Sequence, residues 1–304
     1  GIADDSLQTN SRAIFGHFAG MEKWGDVLAE SGCDTGAHPF SCDAAALHHI
    51  LDDGWMWQLR FDSGITSVGI VLDGTQRPLR ESDSAEGEWN QELARYPTIA
   101  RQFRHAELVQ PGDGLRRTGR MQRCSRRMAG SDWVMLPNTA GFVDPLHSTG
   151  IAHTLSGIER IARIIERHWS QPQLESQLQQ YAEALRSEIH WIDRLVEGCY
   201  ASRQNFRAFA AWSMFYFAAA STCEYRRAEC GQSSAWSFLC ADDHRLTGAA
   251  CKVRNELEQA LSGGPALVTR FEEQVRRAIE PFNFTSLCDP DARNMYRFTA
   301  APTR

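Results

Sequence analysis

No G-x-G-x-x-G turn occurs anywhere in these 304 residues. The chain therefore shows no strand–turn–helix of the kind that wraps the phosphates of a dinucleotide. Nine cysteines (Cys33, Cys42, Cys124, Cys199, Cys223, Cys230, Cys240, Cys251 and Cys288) include no C-x-x-C pair. That spacing excludes a zinc ribbon and a small disulfide framework, and scattered thiols suit a reducing cytoplasm, the expected location. The longest apolar stretch, residues 206–220, carries Arg207 and falls short of the ~18–20 uncharged residues of a membrane span, so a soluble protein is expected. Positive charge is not in excess. With 32 Lys and Arg against 38 Asp and Glu, the net charge of −6 gives no footing for nucleic-acid binding. Repeats and low-complexity tracts are absent too, and nothing fixes an oligomeric state.

What is present describes a globular chain with room for a sizeable core: 42% hydrophobic residues, 23% charged, and nine tryptophans. Residues 11–18 read as a strand, and the Gly/Cys/Asp/Pro-rich stretch 31–43 as a loop. Residues 44–51 fit either a helical turn or the start of a strand. A hairpin follows: Trp55, Trp57, Leu59 and Phe61 alternate with Met56, Gln58 and Arg60, Asp62-Ser63-Gly64 makes the turn, and 65–72 returns. A polar stretch leads to a helix expected over about 89–104, and the apolar run Trp133-Val134-Met135-Leu136 reads as a buried strand. Beyond it Ile151, Leu155, Ile158, Ile161 and Ile165 recur at helical spacing. Further helices are expected near 174–198, 205–222, 248–262 and 265–280. The split is expected near residue 170, into a sheet-containing part (1–170) and a helical part (171–304).

The segment joining these halves, Leu136-Pro137-Asn138-Thr139-Ala140-Gly141-Phe142-Val143-Asp144-Pro145-Leu146-His147-Ser148-Thr149-Gly150-Ile151, carries the most chemistry. A helix that opens in small residues presents unpaired N–H groups and the positive end of its dipole, a setting for a phosphate or an electron-rich ring edge. Gly150 permits close backbone approach, and Asp144-Pro145 restricts the angle of entry. Read without further context, the same residues also suit an ordinary turn capped by Ser148 or Thr149.

The segment resembles the second flavin-binding motif of the flavin-dependent halogenase and monooxygenase superfamily, which shares the p-hydroxybenzoate hydroxylase fold. Gly54-Trp55-Met56-Trp57-Gln58-Leu59-Arg60 resembles that family's W-x-W-x-I-P signature, with Leu59-Arg60 in place of Ile-Pro. The order of Ser11-Arg12-Ala13-Ile14-Phe15-Gly16-His17-Phe18, the tryptophan hairpin and the Asp144 segment is also similar to the family's. The resemblance implies an α+β fold, a partial FAD-dependent monooxygenase-like arrangement of mixed sheet and flavin-facing helix, plus a helical C-terminal subdomain. It implies FAD as cofactor, with Asn138, Gly141, Asp144, Pro145, Ser148, Thr149, Gly150 and Ile151 along it. Trp55 and Trp57 would form an aromatic wall between flavin and substrate, their indoles ~7 Å apart on one strand face. In the aromatic helix Phe206-Phe209-Trp212-Phe215-Tyr216, Trp212 and Tyr216 are the candidates for lining a substrate pocket.

Two departures matter. Pro137-Asn138 stands where many flavoenzymes carry Gly-Asp, and Asn can still bond a hydroxyl. His147 stands where tryptophan halogenases carry a Glu, so a titratable acid–base group replaces a carboxylate and argues against a standard tryptophan halogenase. The family's lysine that relays hypohalous acid belongs to a region ahead of the matching one. The chain opens on Gly1-Ile2-Ala3-Asp4-Asp5, and the expectation is the carboxy-terminal part of a larger FAD-dependent oxidoreductase. Oxygen chemistry at C4a of the reduced flavin is expected, monooxygenation or halogenation of an aromatic or hydrophobic small molecule. Electrons would come from NAD(P)H or a partner flavin reductase. A dehydrogenase or reductase of the same fold, or a non-catalytic remnant, stays open.

Other clusters read as structural. Arg116, Arg117, Arg120, Arg123, Arg126 and Arg127 suit a solvated connector paired with acidic neighbours. His48-His49 with Asp52-Asp53 does not read as a metal site, since adjacent residues on regular structure cannot both face one metal and no second cluster supports it. Cys223 and Cys230 lie seven apart, which a helix would place on one face as structural thiols.

Overall fold

The computed structural model describes residues 3–4, 6–36, 38–230 and 237–289, with the side chains of Ala3, Asp4 and Cys230 outside the described residues. In chain order the elements are β1 (Ala3–Asp4), β2 (Ser11–Ala19), α1 (Trp24–Glu30), β3 (Leu47–Leu51), β4 (Gly54–Arg60), β5 (Ile65–Asp73), α2 (Ala85–Arg95) and α3 (Pro97–Arg101). They continue with β6 (Glu107–Gln110), β7 (Arg116–Arg117), β8 (Arg123–Ser125), α4 (Pro137–Ala140), β9 (Gly141–Phe142) and α5 (Gly150–His168). Five more helices close the series: α6 (Leu174–Ser202), α7 (Phe206–Cys230), α8 (His244–Arg254), α9 (Leu257–Ser262) and α10 (Pro265–Ile279). Two compact units result, one of residues 1–9 and 122–288, the other built on residues 10–121. The contacts thin at residues 9–10 and 121–122 rather than near 170, because α5 packs along α6 and across 170 the chain stays within one unit.

The 10–121 unit is an antiparallel sheet in the order β3-β4-β5-β2-β6, with β7 also on β2. The hairpin lies where the alternation placed it, with Trp57 opposite Gly69 and Trp55 opposite Val71. A 3-10 turn (Cys42–Ala44) leads into β3, so residues 47–51 are strand, with Ile50 opposite Trp55. One face of the sheet buries Ile14, Phe18, Met56, Val68, Ile70 and Leu72 against Trp89 and Ile99. Ser84 caps α2 by accepting from Gly87 N–H at 3.0 Å. The single helix expected over 89–104 is two, because Pro97 has no N–H to continue α2 and instead opens α3.

In the other unit β8 lies between β1 and β9 in a small antiparallel sheet, and α5–α10 supply the bulk. Asp193 on α6 ties down the first residues, its carboxylate accepting from Gln8 N–H at 2.7 Å and Thr9 N–H at 3.0 Å. The strand expected at 133–136 does not form. Only a bridge joins Ala129 to Val134, Pro137 then starts α4, and the Trp133 indole folds back over Gly130 and under Arg127. Four apolar residues are too few for periodicity to separate a strand from a turn wall. The helix expected over 248–262 breaks into α8 and α9 at Asn255 and Glu256.

Candidate functional site

Asp144 organises the 138–151 segment. As a residue before proline it is extended, with φ −166° and ψ 145°. Its buried carboxylate uses both oxygens inside the chain: Oδ1 accepts from Leu146 N–H at 3.0 Å and Oδ2 from the Tyr200 hydroxyl at 3.0 Å. Asp144 thus shapes the 3-10 turn Pro145–His147 and anchors it to α6. The turn ends at Ser148, exposed and left-handed at φ 53°, whose N–H donates to Pro145 O at 2.9 Å. Holding a serine there costs on the order of 1 kcal/mol, and the anchored turn supplies it.

At the start of α5 the buried Thr149 makes no side-chain cap. The reading of Ser148 or Thr149 as a capping residue therefore gives way. The first-turn N–H groups of Gly150, Ile151 and Ala152 have no acceptor within the helix, which leaves a dipole end suited to an anionic ring edge. An added Cβ on Gly150 would sit 3.6 Å from Asn138 Oδ1, so the exposed Asn138 amide stands beside this opening. Ile151 is 78% exposed. These residues fit the electron-rich edge of a flavin, which a helix amino terminus stabilises by ~0.3–1 kcal/mol. Gly141 is placed elsewhere: it is buried and extended in β9, and a Cβ there would meet Ile189 Cδ1 at 2.6 Å. Its requirement is close packing on α6.

His147 is half-buried between three side chains. Its ring stacks on Tyr216 with centroids 4.2 Å apart and planes 9° apart, and Phe217 meets it edge-on at 6.0 Å. The Tyr216 hydroxyl donates to the His147 carbonyl at 3.0 Å, and His147 Nε2 lies 3.6 Å from Cys199 Sγ. Burial pushes the Cys199 thiol up to about 12 and the Tyr216 phenol up to about 12, so both stay protonated at neutral pH. Neither is a base there. The imidazole remains the acid–base group of this corner, stacked on one face by Tyr216 and met edge-on by Phe217.

Trp212, read from the sequence as a pocket candidate alongside Tyr216, is a core residue. Fully buried, it donates from Nε1 to Leu195 O at 2.8 Å and fills the space over Gly198. On the amphipathic spacing the two aromatics looked alike, and the packing of α6 on α7 separates them.

In the sheet unit Trp55 and Trp57 share a face, with ring centroids 6.0 Å apart. Trp55 is buried against His48 at 4.8 Å, while the half-buried Trp57 reaches Phe15 at 6.2 Å and donates to Ser67 Oγ at 3.3 Å. His48 and His49 occupy opposite faces of β3, as adjacent strand residues must, and His49 packs edge-on against Trp24 at 4.5 Å. The arginines are largely engaged: Arg116 with Asp113 at 2.7 Å, Arg117 with Glu88 at 3.5 Å, and Arg123 donating to Asn138 O at 2.8 Å.

The sequence reading missed a polar cluster behind the site. Glu188 on α6 is fully buried and accepts from His153 Nε2 at 2.9 Å, from both Arg160 terminal nitrogens at 2.7 and 2.8 Å, from Ser237 Oγ at 3.1 Å and from Phe238 N–H at 2.8 Å. Burial alone would raise its pKa, but the His153 hydrogen bond and the Arg160 charge hold it below the ordinary carboxylate value. His153, Ser156, Gly157 and Arg160 recur at helical spacing, which was the available signal.

The family model for tryptophan halogenase matches residues 27–213, more than half of the chain. The chain belongs to this family. It is similar to the tetracycline 7-halogenase of Kitasatospora aureofaciens, 30% identical over 220 residues that make up 69% of this chain and 38% of that protein. It is also similar to the monodechloroaminopyrrolnitrin halogenase PrnC of Pseudomonas fluorescens, 28% identical over 213 residues, 68% of this chain and 36% of PrnC. This family member thus spans well under half the length of these curated relatives. Its fold is that of the halogenase PltM, with a TM-score of 0.77 at 20% identity, over 93% of this chain and 60% of PltM. FAD, the cofactor expected from the sequence, is bound in PltM structures with TM-scores of 0.77 and 0.76. Among the described residues no helix is long and apolar enough to cross a membrane.

Proposed function

We propose that this chain is the flavin-facing part of an FAD-dependent halogenase acting on an aromatic small molecule. The single observation that carries the reading is the uncapped amino terminus of α5 beside Asn138, set by the Asp144–Tyr200 bond. Family membership and two halogenase relatives support halogenation over the monooxygenase and dehydrogenase alternatives. Bound FAD, reduced by NAD(P)H or a partner flavin reductase, would supply the activation of oxygen.

The chain's own residues would act around it. The backbone N–H groups of Gly150, Ile151 and Ala152 would stabilise negative charge on the pyrimidine side of the ring, and Asn138 would bond a ribityl hydroxyl. Asp144, Pro145 and Ser148 would hold that backbone in position. His147 would accept a proton near the substrate, with Tyr216 fixing its plane.

Titrating FAD with the purified 304-residue protein, followed by flavin fluorescence, tests the reading. Quenching that is weakened in Asp144→Ala, with secondary structure intact, supports it. Quenching equal in the variant and the native chain would sink the assignment of the 144–151 turn.

A further inference from the structure

Two cysteines of the helical unit meet thiol to thiol. Cys223 lies on α7, and Cys240 ends the 3-10 turn Phe238–Cys240 that packs against it. Each thiol reaches the other's element. Cys223 Sγ lies 3.8 Å from Ser237 O at the start of the turn, and Cys240 Sγ lies 3.8 Å from Ala219 O, one helical turn before Cys223. A helical side chain leans back over the preceding turn, so the Cys223 thiol points to the same place. The two sulfurs share a hydrogen bond. That bond holds the Cys223 thiol below its ordinary value and pushes the Cys240 thiol up, so one sulfur keeps the proton that the other releases. Both cysteines are free, and neither takes part in the site around His147.

The turn that delivers Cys240 is strained. Leu239 and Cys240 are consecutive left-handed residues, with φ 52° and 53°, and neither is a glycine. Such a pair persists only where its surroundings impose it. Here they do: Ser237 Oγ and Phe238 N–H donate to Glu188 at 3.1 and 2.8 Å, and Trp191 Nε1 donates to Leu239 O at 3.1 Å. The turn is thus clamped to α6 while its last residue is turned onto α7. A buried cysteine that served only as a small apolar residue would need neither the strain nor a second thiol opposite it.

The charges around the pair are mixed. Arg226, three residues beyond Cys223 and paired with Asp243 at 2.8 Å, favours a thiolate at Cys240, whereas Asp242 opposes it and Glu224 opposes one at Cys223. The hydrogen bond outweighs Glu224 at Cys223, which makes that sulfur the nucleophile of the two. Both residues are buried, so the pair selects for a small oxidant. A hydroperoxide of two heavy atoms needs far less opening of the fold than glutathione or a protein disulfide.

We propose that Cys223 and Cys240 form a redox-active dithiol that hydrogen peroxide closes to a disulfide. The Cys223 thiolate attacks one peroxide oxygen and breaks the O–O bond, giving a sulfenic acid and a hydroxide that leaves as water with the proton Cys223 released. The Cys240 sulfur then attacks the sulfenic sulfur, the S–O bond breaks, and the hydroxyl leaves with the Cys240 proton as a second water. Two thiols are oxidised by two electrons in all, and one hydrogen peroxide is reduced to two waters.

The test treats the folded 304-residue protein with hydrogen peroxide, then unfolds it in urea with N-ethylmaleimide to block the remaining thiols, and reads the unreduced peptides by mass spectrometry. A peptide joining Cys223 to Cys240, reopened by dithiothreitol, is expected at lower peroxide than oxidises the partly exposed Cys33 and Cys251. Cys240→Ser keeps the shape of the pair and should leave Cys223 as a sulfenic acid that dimedone traps. Cys223→Ser should leave Cys240 unoxidised at the same peroxide concentration. Free thiols at both positions while Cys33 and Cys251 are oxidised would overturn the proposal. So would a disulfide from Cys223 to any other cysteine, or a Cys223–Cys240 bond that forms only when peroxide is added in urea.

Discussion

The Trp57 indole lies over the Cα of Gly69 on the neighbouring strand, so closely that a Cβ there would fall 2.0 Å from Cη2. A glycine weakens a strand interior, and a cross-strand aromatic offsets the loss by covering it. On the same face of the sheet Trp57 also packs beside Phe15 and Trp55. Gly69→Ala must displace the indole. It is expected to destabilise the protein by about 1–3 kcal/mol and to red-shift tryptophan emission, both read in a urea titration. Gly64→Ala, at a turn with φ 81° and open space around it, should show no emission shift.

Removing the carboxylate of Glu188 should be among the costliest substitutions in the chain. Glu188→Ala leaves the Arg160 charge partly buried without its partner, at a cost of about 3–5 kcal/mol. Glu188→Gln keeps the shape and should cost less. Because the folded-state pKa of Glu188 is depressed, its contribution is fully present above the ordinary carboxylate value of 4.5 and is lost as pH falls below it. Thermal melts of the native protein and Glu188→Gln should therefore draw together as pH falls from 4.5 through the depressed folded-state value.

His48 and His49 give a second, separate acid dependence. Burial lowers both from 6.5 to about 4, so the folded sheet holds them neutral while the unfolded chain takes up protons more readily. The unfolded state binds more protons between these values, and stability should fall as pH drops from about 6.5 to about 4. His49→Leu should flatten this window in a denaturant series. An undiminished slope would show that other groups carry it.

Cys199 should be inert while the protein is folded. Its thiol is buried and raised to about 12, so little thiolate exists at pH 8. Iodoacetamide followed by peptide mass spectrometry should modify Cys33 and Cys251, both partly exposed, well before Cys199. Unfolding in urea should abolish the difference.

Tyr216→Phe removes the hydroxyl that holds the His147 carbonyl but keeps the ring stack. A loss of about 0.5–1.5 kcal/mol is expected in the urea midpoint. In the proposed enzyme the acidic limb of the rate profile should move more than the Michaelis constant, because the change acts on the proton-accepting group. An unchanged profile would count His147 as structural.

The sequence by itself determined the elements whose pattern is long or local. The alternation of residues 55–61, the turn at Asp62-Ser63-Gly64 and the helical spacing beyond Ile151 each repeat a chemical preference often enough to outweigh chance. The placement of Asp144 before Pro145 likewise dictates an extended entry into a turn. Short or symmetric signals were undecidable. Four apolar residues at 133–136 suited a strand, yet Pro137 and Gly130 made them a turn wall. Trp212 and Tyr216 shared one aromatic pattern, and only the packing of α6 on α7 put the first in the core and the second against His147. The spacing of α5 located its apolar stripe but not the direction that stripe faces. That was decided by Glu188, 28 residues past Arg160 in sequence, because a buried carboxylate must be paired and the residues that pair it fix which side of the helix turns inward.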